Sequence, residues 1–208
     1  MHKVLVELIG TFFLVFVIGL TVIAPGAGAM APVAIGAILM VMIYAGGPIS
    51  GAHYNPAVTL AVWLRGKCKS QDVPFYMGAQ ILGAVLGALL VGLCKPGSEV
   101  IPLAPQLVPA LLVEFLFTFA LAFVVLNVAT AKKSAGNSYF GLAIGFTVLA
   151  AAYAGGGISG GAFNPAVAIG ITLMGLSSAG NLWIFLAANF AGGALAALVF
   201  RVVNLDES

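Results

Sequence analysis

Six apolar stretches, each bounded by charge or turn residues, divide this chain: Val4 to Ile23, Val33 to Ala45, Val73 to Cys94, Val108 to Thr130, Tyr139 to Tyr153 and Asn181 to Val203. A helix needs about 20 apolar residues to cross roughly 30 Å of hydrocarbon. Composition leaves few other options, because 62% of the 208 residues are hydrophobic, 7% are charged, and the mean hydropathy is +1.17. A soluble domain carries about 25% charged residues to cover its surface. The expected class is an all-α membrane protein with six transmembrane helices. The first stretch contains Glu7 and follows Met1-His2-Lys3 directly, with no small-residue cleavage site, so it is expected to be a retained first helix and not a removed signal.

The same composition excludes several kinds of chemistry. Cys68 and Cys94 lie in different segments, and two histidines are too few for a His-rich centre, so neither a disulfide framework nor a metal site is expected. No GxxxxGK[ST] or HExxH pattern occurs, which argues against nucleotide hydrolysis and zinc proteolysis. Eight basic residues spread along the chain do not make a nucleic-acid surface. No cofactor is expected.

Charge also orients the chain. If the spans alternate, Lys3, Arg65, Lys67, Lys69, Lys132, Lys133 and Arg201 share one side and only Lys95 lies on the other. The positive-inside bias then places both termini in the cytoplasm, and the expected location is the plasma membrane of a prokaryote.

The chain repeats itself. Tyr44-Ala-Gly-Gly-Pro-Ile-Ser-Gly51 returns as Tyr153-Ala-Gly-Gly-Gly-Ile-Ser-Gly160, and Asn55-Pro-Ala-Val58 returns as Asn164-Pro-Ala-Val167, both at an offset of 109. That offset also pairs Ala34-Ile-Gly36 with Ala143-Ile-Gly145 and Gln80 with Asn189, while Glu7 with Thr11-Phe12 returns as Glu114 with Thr118-Phe119 at 107. The expected organisation is one domain, 1–208, made of repeat 1 (1–105) and repeat 2 (106–208). Each half holds three spans, an odd number, so the second copy is inverted relative to the first. The functional site is expected between the halves.

After each second span comes a segment too short to cross: Gly46 to Tyr54 then Pro56 to Leu64, and Gly155 to Phe163 then Pro165 to Met174. Ten helical residues reach about 15 Å, half of the hydrocarbon core. Proline suits the first helical position and asparagine is among the best N-caps, so each Asn-Pro-Ala predicts the start of a re-entrant half-helix. Non-helical backbone survives at membrane depth only when buried in protein or lining water. The glycine-rich stretches from Gly46 and Gly155 are therefore expected to be non-helical and to offer carbonyls to an aqueous path.

These residues resemble the aquaporin and aquaglyceroporin superfamily, the major intrinsic proteins. The resemblance runs over essentially the whole chain and rests on Ser50-Gly-Ala-His-Tyr-Asn-Pro-Ala-Val58, Gly161-Ala-Phe-Asn-Pro-Ala-Val167, Glu7 with Gly10-Thr11, and Glu114 with Thr118. It implies six tilted helices plus two re-entrant half-helices around one pore per subunit, in a homotetramer within the bilayer, with water and small neutral solutes as the molecules handled. It also implies that Glu7 and Glu114 face the re-entrant backbone and accept its amide hydrogens, a structural role. Asn55, Pro56, Ala57 and Asn164, Pro165, Ala166 become the pore motifs, with Asn55 and Asn164 capping each other's helices and turning N–H donors into the lumen. Two half-helices meeting by their amino ends place roughly half an elementary charge each near the midplane, which disfavours cations.

By spacing from the two asparagines, the narrow filter of this superfamily falls on Ile35, Ala152, Gly161 and Val167. Water channels carry arginine at the last of these positions; valine there looks like plant tonoplast-type members, which the resemblance links to ammonia, hydrogen peroxide and urea-sized solutes. The Arg-Asp pair of glycerol facilitators is absent, the chain having Val167-Ala168. His53 is expected at the pore mouth without gating it. Tyr44 and Tyr153 are expected to pack loops, and Phe12, Phe13, Phe16, Phe115, Phe117 and Phe119 to face lipid or core. The expected function is a passive channel for water and small uncharged solutes that excludes protons and ions. The alternatives are a secondary transporter and a structural membrane protein with a vestigial pore.

Overall fold

The computed structural model describes residues 1–207. Its helices are α1 (His2–Val22), α2 (Ala31–Ser50), α3 (Pro56–Leu64), α4 (Val73–Cys94), α5 (Leu107–Val125), α6 (Phe140–Ser159), α7 (Pro165–Leu173) and α8 (Leu182–Val203). Six of these are long and apolar enough to cross a membrane, while α3 and α7, nine residues each, span about half of it. Among the described residues the only strand-like pairing is an isolated bridge between Leu103 and Ser177.

Polar contacts sort the connections onto two faces. Lys133 Nζ lies 3.6 Å from Asp206 Oδ2, and the Arg201 guanidinium donates to the carbonyl of Leu64, so the carboxyl terminus shares a face with the loops after α3 and α5. This is the terminal face. On the far face the Lys95 ammonium donates to the carbonyls of Ile23 and Pro25, the latter at 2.7 Å.

Two spans differ from expectation at one end. Gly46 to Ser50 and Gly155 to Ser159, expected to be non-helical, continue α2 and α6 as helix. The physical reason is the absence of water: a helical turn satisfies its own amides at membrane depth, and glycine imposes no break that would outweigh this. The helices end instead at Gly51 (φ 90°) and Gly160 (φ 100°), in the left-handed conformation that only glycine adopts without strain. The irregular backbone shrinks to 51–55 and 160–164. Gly46 has a packing role, since a Cβ built on it falls 1.8 Å from the Tyr54 hydroxyl.

Close helix approach explains much of the remaining glycine. A Cβ on Gly83 of α4 falls 2.4 Å from the Leu8 carbonyl of α1, and one on its repeat-mate Gly192 of α8 falls 2.5 Å from the Phe115 carbonyl of α5. Gly36 and Gly145, also repeat-mates, meet each other: each Cβ lands within 2.8 Å of the other's carbonyl oxygen. That contact marks the pseudo-twofold axis between α2 and α6. Small residues at helix crossings are what a membrane interior demands, because lipid supplies no hydrophobic drive and association depends on close contact.

Gly83→Ala or Gly192→Ala should each lower the thermal unfolding midpoint in detergent, by the equivalent of about 1–3 kcal/mol for overpacking. Gly92→Ala, whose added Cβ meets nothing within 4 Å beyond its own helix backbone, should leave the midpoint unchanged or raise it slightly through helix propensity.

Candidate pore and its central constellation

Each re-entrant loop brings unpaired backbone amides into the hydrocarbon region, and one buried carboxylate collects them. Glu7, wholly buried, accepts on Oε1 from the Ser50 hydroxyl (2.7 Å) and His53 N–H (3.0 Å), and on Oε2 from Tyr54 N–H (2.7 Å) and Gln80 Nε2 (2.8 Å). Glu114 repeats the arrangement with Ser159 (2.6 Å), Ala162 N–H (2.9 Å), Phe163 N–H (2.7 Å) and Asn189 Nδ2 (2.9 Å). Four donors on two oxygens fill the acceptor capacity of a carboxylate. The serines in turn accept from the Ala52 and Gly161 amides, both at 3.0 Å. Gln80 and Asn189 were legible as a repeat pair, yet nothing local in the sequence assigned them to the carboxylates; the contact joins α1 to α4 and α5 to α8.

The loops then place the two asparagines at the centre. Asn55 Oδ1 accepts from the amides of Ala57 (2.8 Å) and Val58 (3.4 Å), and Asn164 Oδ1 from those of Ala166 (2.9 Å) and Val167 (3.4 Å). Each asparagine therefore caps its own half-helix, and the expectation that they cap each other's is corrected. An N-cap oxygen must sit two or three residues before the amide it accepts, which the opposing helix cannot offer. What crosses between repeats is the other end of the amide: Asn55 Nδ2 donates to the Phe163 carbonyl (2.9 Å) and Asn164 Nδ2 to the Tyr54 carbonyl (2.8 Å). A side-chain amide has two N–H groups, so each asparagine keeps one for the cavity that both line. Pro56, Ala57, Pro165 and Ala166 open the half-helices and are buried.

Strain is concentrated here. Ala52, Tyr54 and Phe163 are non-glycine residues with φ of 51°, 50° and 48°, a conformation costing on the order of 1 kcal/mol or more each, held only where surroundings over-determine it. The carbonyls of residues 51–53 and 160–162 accept no hydrogen bond from any described residue, and most of these residues line the cavity. They form a ladder of free acceptors on either side of the asparagines.

The cavity itself is about 510 Å³. Ile35, Ala152, Gly161 and Val167 all line it, as does His53. Among the described residues its only polar side chains other than tyrosine are His53, Asn55 and Asn164, and the Tyr54 hydroxyl is turned away to the Met42 carbonyl at 2.9 Å. The rest of the wall is apolar and, apart from Phe163, carries no ring other than proline; it includes Leu14 and Ile18 of α1 and Leu121 and Val125 of α5. Sequence reasoning missed those four; their offset of 107 was the signal that would have found them. His53 is nearly enclosed, with Nδ1 3.1 Å from Thr59 Oγ1 and its ring edge-on to Tyr76 at 5.2 Å. Tyr44 packs the loop before α6, donating to the Ser138 carbonyl (3.0 Å) and accepting from the Leu142 amide (3.1 Å). Phe12 stacks on Phe16, and Phe117 meets Phe163 edge-on. In the loop after α3, burial chiefly, with Asp72 and Glu7 adding to it and Lys3 opposing, holds the Cys68 thiol above its ordinary pKa, which makes it a poor nucleophile.

Asn55→Asp or Asn164→Asp replaces a neutral donor with a charge at the half-helix junction. Either variant should admit cations into proteoliposomes or fail to assemble; normal water flux with full cation tightness in both would remove the asparagines from the barrier.

Comparison with known proteins agrees with this geometry. The family model described as "Major intrinsic protein" matches residues 1–200. Aquaporin NIP1-1 of Oryza sativa subsp. japonica is 35% identical over 217 residues, covering 99% of this chain and 75% of that protein. Nodulin-26 of Glycine max is 33% identical over 222 residues, covering 100% and 79%. These are plant proteins and do not support the expected prokaryotic membrane, and neither carries a tonoplast name, so that likeness rests on Val167. Among solved structures, the aquaglyceroporin from Plasmodium falciparum superposes with a TM-score of 0.81 at 21% identity, covering 99% of this chain and 98% of that one, which shows the shared fold. With opposed Asn-Pro-Ala half-helices at the centre of six apolar spans and relatives matched along its whole length, this chain belongs to the major intrinsic protein family of aquaporin channels and is a multi-pass integral membrane protein, not an enzyme.

Proposed function

We propose that this protein is a passive channel for water and small uncharged solutes, ammonia and hydrogen peroxide foremost and urea or glycerol after them, and that it excludes protons and ions. The observation that carries the reading is the pair of asparagines, each with one amide hydrogen free at the junction of two opposed half-helices and free carbonyls on both sides. A water at that point accepts from the asparagines and donates outward to the carbonyls, so its orientation reverses at the centre and a proton wire is broken. The half-helix amino ends add partial positive charge at the same place.

Ile35, Ala152, Gly161 and Val167 are the filter in this reading. None carries a charge, a ring or a hydrogen-bonding side chain, so the filter is permissive and apolar. The terminal face is the cytoplasmic one by the seven-to-one distribution of basic residues. The working assembly is a homotetramer with a pore in each subunit. Coupled transport lacks support, because a carrier needs an ion site in its path and both buried carboxylates have their oxygens filled by donors away from the lumen.

Val167→Arg should raise selectivity for water over urea and glycerol, since a guanidinium narrows the lumen and offers donors that single-file water can use. An unchanged flux ratio in a correctly assembled variant would remove Val167 from the filter.

In vesicles carrying an internal pH dye, the wild-type protein should pass ammonia or peroxide rapidly while proton leak stays near that of empty liposomes. Proton conductance well above that background would show that the midplane alone does not hold protons back. Stopped-flow shrinkage in an osmotic jump tests the class: a channel gives fast flux of low temperature dependence, a carrier saturates, and a vestigial pore gives none.

A further inference from the structure

The inverted repeat gives every residue of the filter a partner on the opposite side of the midplane. At the offset of 109, Ile35, Ala152, Gly161 and Val167 correspond to Ile144, Ile43, Ala52 and Val58. All four partners line the same cavity. The two rings are unequal. The far-face ring has Ala152 and Gly161 where the terminal-face ring has Ile43 and Ala52, so the second ring carries four more side-chain carbons at equivalent positions of a pseudo-symmetric frame.

Burial and cavity shape point the same way. Ile43, Ala52, Val58 and Ile144 are only 3%, 7%, 2% and 4% exposed, whereas in the other ring Ile35 and Val167 are buried and Ala152 and Gly161 are part-exposed. On the far side the cavity continues past its ring to Val22, Pro32, Gly156, Gly160 and Ile171. On the terminal side none of the corresponding positions lines it: the partners Gly47, Gly51, Val62 and Gly141 are all absent from its wall. On the terminal side the cavity wall extends to Ile43, Ala52, His53, Val58 and Ile144.

We infer that this second aliphatic ring, and not the far-face filter, is the size-determining constriction of the channel. The inference rests on the channel reading above. The missing filter arginine leaves the far-face ring wide, and the inverted repeat supplies a tighter ring in series with it. Solute size is then decided by four hydrocarbon side chains. These four side chains offer the solute no hydrogen bond, leaving only the loop carbonyls and His53 beside them, so molecules that cross part with some of their water, and those with few polar groups for their size are favoured over polyols of equal bulk.

Matched deletions at repeat-equivalent positions test this. Ile144→Ala and Ile43→Val widen the terminal-side ring, and Ile35→Ala and Val167→Ala widen the far-side one; all are purified, checked for assembly and reconstituted at equal density. Urea and glycerol fluxes are measured beside water. The terminal-side variants should raise glycerol flux relative to water by about tenfold, the scale on which a cavity discriminates one or two methylenes, and the far-side variants should leave that ratio within about twofold of wild type. If the far-side variants raise the ratio and the terminal-side ones do not, the constriction is the far-face filter and the inference is overturned while the channel stands. If no protein, wild type included, passes water above empty liposomes, the channel reading fails instead. Ile43→Val removes a single methylene and keeps the test readable should Ile144→Ala fail to fold.

Discussion

A re-entrant loop in hydrocarbon is tolerable only if something other than water takes its amide hydrogens, and the rest of this structure depends on how that demand is met. Glu7 and Glu114 each gather two loop amides, a serine hydroxyl and a side-chain amide. A buried group left without such partners costs roughly 1–3 kcal/mol per donor, so an open loop at this depth would not persist without the carboxylates. Because each carboxylate sits on the first helix of its repeat and reaches the loop after the second, the bond set also fixes the spacing of α1 to α2 and α5 to α6.

Function follows from where the polar groups are not satisfied. The amides of the loops face the carboxylates, and their carbonyls, on the other side of the peptide planes, face the cavity. One set of hydrogen bonds thus holds the loop and leaves the opposite set free for solute. The asparagines extend this division to a single side chain, with the oxygen holding its own half-helix, one N–H holding the other repeat, and one N–H left over. Stability and conduction use different atoms of the same residues.

The glycines serve packing more than flexibility. Gly83, Gly192, Gly36 and Gly145 let backbones meet, and Gly46 admits the Tyr54 ring under α2. Backbone freedom is what matters outside the helices, where eight described glycines have positive φ, Gly51 and Gly160 at the ends of α2 and α6 among them. The extension of those two helices beyond the expected spans has the same origin: a glycine-rich run reads as loop in water, but in a bilayer the helical hydrogen bond outweighs the entropy that glycine would regain.

The sequence by itself determined the class, the six crossings, the inverted duplication, and the half-helix starts at Asn55-Pro56 and Asn164-Pro165. All of these depend on local periodicity or on a fixed offset, which a linear chain records directly. Tertiary structure alone decided that each asparagine ties the other repeat's carbonyl, that Gln80 and Asn189 complete the carboxylate shells, and which residues of the two repeats share the cavity wall. The hydrogen bonds among these join residues some 70 to 110 positions apart, set by how close the helices approach and which way a strained loop turns. Periodicity carries no information about either, because the energies that decide them arise only when the two halves are packed together.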